Sequence, residues 1–130
     1  DELSTHAPTT VWDATGPAVV ESQIDAVDLG IARSEPGALR GQDAAYNAAV
    51  ARAVLSGERS ATLDPVRDSV LLGAAAALVA HEAVADGPST LSVGDRLAAA
   101  LPRAAAAIDD GSAGALLDRW ISVSQRLAAR

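Results

Sequence analysis

The sequence predicts an α/β arrangement, a short β-hairpin followed by about four helices. Three observations carry this. Residues 9–25, "TTVWDATGPAVVESQID", alternate on either side of Thr15-Gly16-Pro17, with β-branched residues bounding the Gly-Pro break. From Gln42 onward the period changes, and apolar residues recur at three and four. The composition is 49% hydrophobic but only 2% aromatic, with no Phe, Met or Cys, so its many alanines suit closely packed helices.

In the hairpin, Trp12 and Ala14 are expected on one face, and Val20, Ser22 and Ile24 on one face of the return. Residues 26–41 read as a loop with turn signals. In the first helix Ala44, Ala48, Ala51 and Val54/Leu55 repeat at helical spacing, Asp43 caps the start, and Gly57 sits where a left-handed residue ends a helix. The second helix has Asp64 as its expected N-cap and Pro65 in its first turn, and stops at Gly87-Pro88. The third opens on Ser92 with Asp95 three residues later, a capping box with Asp in place of Glu. Pro102 is expected to kink or split this helix near Leu101. The fourth has Ser112 as its expected N-cap and carries an apolar stripe of Leu116/Leu117, Trp120/Ile121 and Leu127. Residues 1–30 thus form a β-rich segment and 42–130 a helical one, together the C-terminal part of one α/β domain across 1–130. Two short strands make little sheet for four helices to cover, so the pattern reads as the second half of a layered α/β arrangement.

The 130 residues are enough for one domain. Net charge is −7, and the ten basic residues, all arginine, are scattered singly. No basic stripe for nucleic acid and no polybasic membrane patch is present. The most apolar run, residues 69–80, is shorter than the roughly 20 residues of a membrane span. With no cysteine there is no disulfide framework and no thiolate chemistry. The chain contains no Met and opens on Asp1-Glu2, which leads us to expect a piece of a longer protein.

Asp1 and Glu2 are the candidate metal ligands. Adjacent carboxylates on an extended chain point to opposite sides, which suits a pair of Mg²⁺ ions, or one direct and one water-mediated contact. A solvated surface pair is the commoner use of two such residues. Asp43 and Asn47, four apart, suit hydrogen bonding to a ligand or to the β segment, or else a cap plus an exposed polar position, and the last is the commoner. Tyr46 suits packing or a partner contact. His6 and His81 lie far apart, and no metal-binding histidine pair, Ser-His-Asp set or glycine-rich phosphate loop occurs. Trp12 and Trp120 are expected as packing residues. No residue is assigned a catalytic role.

The order of segments resembles the C-terminal portion of the anthranilate phosphoribosyltransferases. Asp1-Glu2-Leu3-Ser4 matches the metal motif of that family, and Thr5 to Thr10 its threonine-rich stretch. Asp28-Leu29-Gly30, Gly41-Gln42-Asp43, Asn47-Ala48 and Val54-Leu55-Ser56-Gly57 follow in family order. Arg67-Asp68-Ser69-Val70-Leu71-Leu72 and Ala107-Ile108-Asp109-Asp110-Gly111 complete the series. Arg40, Gly73, Pro102 and the His6-Ala7 pair depart from the pattern.

The resemblance implies the larger α/β domain of a phosphoribosyltransferase of the nucleoside-phosphorylase-like type. It implies transfer of phosphoribose from phosphoribosyl pyrophosphate to anthranilate, with release of pyrophosphate in tryptophan biosynthesis. It further implies Mg²⁺ held by Asp1 and Glu2, a cytoplasmic setting, and a homodimer formed through an upstream helical domain. The phosphate loop and the anthranilate contacts belong upstream, so the 130 residues alone are expected to be inactive. A second reading is a non-catalytic helical interaction module derived from the same fold. A nucleic-acid-binding relative is a third, opposed by the charge of −7.

Overall fold

The computed structural model describes residues 2–129. Strands β1 (Thr9–Asp13) and β2 (Val20–Ile24) pair antiparallel, with Thr9 opposite Ile24 and Asp13 opposite Val20. Four helices follow: α1 (Ala44–Leu55), α2 (Asp64–Asp86), α3 (Val93–Asp109) and α4 (Ser112–Ala128). The α/β class and the hairpin-then-helices order are as the sequence predicts.

Strand alternation puts Val11 and Ile24 on the inner face, where they pack against Ala75 and Val79 of α2 and Leu97 and Ala100 of α3. Trp12 falls on the outer face opposite Glu21, to whose carboxylate its indole N–H donates at 3.1 Å. Trp12 is 65% exposed and Trp120 69%, which corrects the expectation that both are packing residues. The physical reason is phase: each sits on the side of its element turned away from the core. The far end of the hairpin is fixed by a buried clamp. Arg96 of α3 pairs with the Asp13 carboxylate and donates to the Thr15 hydroxyl at 2.9 Å.

The α2–α3 pair makes the most extensive helix contact. The small side chains Ala75 and Ala100 at this junction are almost fully buried, so the two backbones can approach closely. A second cluster joins α1, α2 and α3 through Val54, Leu71, Ala104 and Ile108. By length and composition α2 would suffice to cross a membrane, since it extends well beyond its most apolar run. It nevertheless carries Arg67, Asp68, His81 and Glu82, and its buried face is packed on α3.

Several boundaries follow the local signals. Asp43 accepts from the Tyr46 N–H at 2.8 Å and Ser92 from the Asp95 N–H at 3.1 Å. At the end of α1, Gly57 (φ 82°) donates to the Val54 carbonyl and Glu58 to the Ala53 carbonyl, which completes a Schellman motif. Others differ. A 3₁₀ helix, Ala26–Leu29, lies within the expected loop, capped by Asp25. Asp64 is the first residue of α2 rather than its cap, and its carboxylate goes to Arg59 at 2.6 Å. Ser112 is likewise the first residue of α4. Its N–H is satisfied by Asp110 at 2.8 Å, and this bond holds the Asp110 carboxyl below its ordinary pKa.

Pro102 does not split α3, which runs unbroken from Val93 to Asp109. Proline frees the carbonyl of Ala98, and both residues are exposed, so water can satisfy it. Leu97, Ala100, Ala104 and Ile108 hold both halves of the helix on one buried stripe. The stripe expected on α4 exists but is covered only in part: Leu117 and Ile121 are half-buried, Leu116, Trp120 and Leu127 are exposed, and α4 buries no residue.

Candidate functional site

The segment that carries the candidate carboxylates is short and extended, and the residues after them anchor it. Leu3 packs with the inner face of the hairpin and beside Ala26, Ile31 and Leu72. Two residues on, Thr5 is 1% exposed. Its hydroxyl lies 2.9 Å from that of Ser34 and 3.2 Å from that of Ser69 on α2. The Thr5 carbonyl also accepts from the Ser34 N–H at 3.0 Å. Three hydroxyls from three distant parts of the chain thus satisfy one another, Thr5 and Ser34 buried and Ser69 half-buried.

Around this anchor the backbone is tied down. Ser4 Oγ accepts from the N–H groups of His6 (3.0 Å) and Ala7 (3.3 Å), and its own N–H donates to Thr9 Oγ1 at 3.0 Å. His6 Nδ1 is 3.0 Å from the Ser34 carbonyl, an acceptor only, so Nδ1 carries the proton there. Arg33 donates to the His6 carbonyl at 3.2 Å and to Asp25 at 2.6 Å. The Arg33 bond, followed by that from the Val27 N–H, holds the Asp25 carboxyl below its ordinary pKa. Glu2 is exposed, immediately before this rigid stretch. Asp1 lies outside the described residues. No group of three or more His, Cys, Asp or Glu side chains gathers among the described residues.

The other singled-out residues are placed as follows. Asn47 forms a two-bond clasp on the Gln42 peptide, accepting from its N–H at 3.0 Å and donating to its carbonyl at 3.2 Å. Gly41 lies under this clasp, where a Cβ would come within 2.9 Å of Asn47 Oδ1. Asp43 and Asn47 therefore organise a loop at the start of α1, and their hydrogen bonds go to that loop and helix. Ser34, Ser69, Arg33 and Asp25 were not foreseen. Asp25 alone had a local signal, an Asp opening a helical turn. The hydroxyl cluster had none, because it joins positions far apart in the chain.

A groove of about 800 Å³ runs between β1 and α2, lined by Leu3, Val11, Ala76, Val79 and Leu97 among others. In the described residues β1 has β2 as its only strand neighbour. The groove and the two-stranded sheet agree with the expectation of one part of a layered α/β arrangement.

Comparisons with known proteins follow the same direction. The sequence profile described as "Glycosyl transferase family, a/b domain" matches residues 1–114. An anthranilate phosphoribosyltransferase of Acidothermus cellulolyticus is 48% identical over 125 residues, 96% of this chain and 33% of the relative. That of Frankia alni is 46% identical over 143 residues, 99% of this chain and 37% of the relative. That of Nocardia farcinica is 46% identical over 131 residues, covering 100% of this chain and 37% of the relative. The chain spans about a third of the length of these curated relatives. On the match over residues 1–114, this chain belongs to the glycosyl transferase family, a/b domain.

Proposed function

We propose that this chain serves as part of an anthranilate phosphoribosyltransferase. The reaction breaks the bond between C1 of phosphoribose and pyrophosphate and forms a bond from C1 to the anthranilate amine, which gives up one proton. The observation that carries this reading is identity of 46–48% to proteins of that name across nearly the whole chain. The setting we assign is tryptophan biosynthesis in the cytoplasm, in a homodimer formed through residues outside this chain.

Within that enzyme Asp1 and Glu2 are assigned to magnesium. The donor type fits. Mg²⁺ takes hard oxygen ligands, often only one or two carboxylates, and completes its shell with water and substrate phosphates. Glu2 is exposed, with no larger acidic cluster among the described residues to supply a closed cage. Magnesium, when bound, supplies positive charge against the pyrophosphate as it departs. Leu3, Thr5 and the Ser4 hydroxyl tie down the backbone that follows Glu2, which favours a carboxylate held in a fixed place.

The reading is tested by grafting these 130 residues onto the remainder of the Acidothermus cellulolyticus relative in place of its matching third. Phosphoribosyl transfer to anthranilate is expected from the chimaera and not from the 130 residues by themselves. Glu2→Gln in the chimaera should lower the rate by about tenfold or more and raise the Mg²⁺ concentration needed for half-activity. A folded but inactive chimaera beside an active parent, or a Glu2→Gln chimaera with unchanged magnesium dependence, would sink the assignment.

A further inference from the structure

Among the described residues the side chains of Arg40 and Tyr46 carry no ion pair or side-chain hydrogen bond. Both line the same groove, a cavity of about 520 Å³ between α1, the start of α2 and residues 38–41. Its floor is apolar, formed by Val50, Val54, Leu63 and Val66. Val54 is 1% exposed, so the floor is continuous with the core. This size and character, an apolar cleft with a few polar groups at its rim, are those of small-ligand sites.

The rim is built rather than loose. The Asn47 clasp on the Gln42 peptide, seated over Gly41, fixes residues 41–42 to α1. The Arg40 N–H donates to the Gly37 carbonyl at 2.9 Å, which closes the turn before it. Arg40 is therefore carried on a backbone pinned at both sides, which lowers the ordering cost of binding through it. Tyr46 stands in the first turn of α1, whose start is set by Asp43. That cap occupies Asp43, the carboxylate nearest in sequence.

We infer that this groove binds a small monocarboxylate with an apolar body, its carboxylate on Arg40 and its apolar part against Val50, Val54 and Val66. A guanidinium presents a planar fork that matches a carboxylate, and the Tyr46 hydroxyl offers a further donor. One cation in a chain of net charge −7 suits a single negative charge and not a phosphomonoester dianion. The site is made by α1, α2 and the loop before α1. It does not rest on the transferase reading or on Asp1 and Glu2.

The probe is 4-phenylbutyrate, titrated calorimetrically into the protein, with 4-phenylbutyramide as the uncharged control. Saturable binding of the acid is expected, weakened by about tenfold or more for the amide and in Arg40→Gly. Ala51→Phe, at an exposed position lining the groove, should remove binding of the acid. Both variants should keep the helical circular dichroism of the parent. Should Ala51→Phe fail to fold, Arg40→Gly decides alone. The inference is overturned if the acid does not bind saturably, if acid and amide bind equally, or if Arg40→Gly leaves the affinity unchanged.

Discussion

Helices α3 and α4 are each 17 residues long, and each shows a clear apolar stripe at helical spacing, yet they end in opposite environments. α3 buries Arg96, Leu97, Ala100, Ala104 and Ile108, whereas α4 buries nothing. Leu116, Trp120, Val123 and Leu127, at spacings of four, three and four, are 53%, 69%, 37% and 60% exposed. The contrast teaches that periodicity reports a face and not its cover. What α3 has in addition is small residues where it meets α2, so it can nest closely. The stripe of α4 is built from large side chains, and the family match ends at residue 114, inside its first turn.

The largest effect expected from this difference is in paired truncations. Leu97 is 1% exposed, so Leu97→Ala should destabilise the protein by about 2–5 kcal/mol. Leu116→Ala should change stability by about 0.5 kcal/mol or less. Urea unfolding of the two variants measures both. Equal losses would mean that the α4 stripe is covered in solution, and the contrast would fail.

The clamp from α3 to the hairpin comes next. Arg96→Ala leaves the Asp13 carboxylate, 16% exposed at its side chain, without its cation, at a cost of roughly 3 kcal/mol. Asp13 also sets a pH dependence. The Thr15 hydroxyl first, then the Thr15 N–H, and Arg96 after these hold its carboxyl below the ordinary 3.8. A folded-state pKa below the unfolded one means that its stabilisation is complete above about pH 5 and is lost as pH falls through 3.8 and then the folded value. Asp13→Asn should therefore show a shallower loss of stability than the parent between about pH 4 and 2. An unchanged acid slope would separate the clamp from the titration.

These two regions also mark what the sequence could reveal. The hairpin, four helices, the caps at Asp43 and Ser92 and the stop at Gly57 were legible, because each is decided within a few residues. The burial of Arg96 was not, since its partners Asp13 and Thr15 lie some 80 positions away. The same holds for Thr5, Ser34 and Ser69, three unremarkable hydroxyl residues until the fold collects them. At Pro102 the converse holds, because the local rule allows a split and tertiary packing keeps α3 unbroken across it. Of the candidate site, the Asp1-Glu2 reading rests on residue type and resemblance alone, and the anchoring of the backbone after Glu2 left no local signal.

Glycines give a smaller and signed version of the comparison. Gly114 in α4 sits where a Cβ would lie 3.1 Å from the Leu55 carbonyl oxygen, at the end of α1. Backbone cannot yield as a flexible side chain does, so Gly114→Ala should destabilise by about 1 kcal/mol. Gly73 in α2 is exposed, with open space where a Cβ would stand, and Gly73→Ala should stabilise by about 0.5–1 kcal/mol. Thermal melts of the two single variants should move in opposite directions. A stabilising Gly114→Ala would show that α4 does not press on α1 in solution.

The smallest expected effect is also the sharpest test of where α4 stands. The chain has two tryptophans, and both are largely exposed, Trp12 at 65% and Trp120 at 69%. Their emission in the folded protein should therefore lie close to that of the urea-unfolded chain, and acrylamide should quench both states to a similar extent. Trp120→Ala should alter stability by no more than about 0.5 kcal/mol, because few contacts are lost on a solvent-facing stripe. A blue-shifted folded spectrum that disappears in Trp120→Ala would place the indole in an apolar environment. The stripe would then have a cover in solution, and α4 would join α3 as a helix whose amphipathic pattern is satisfied.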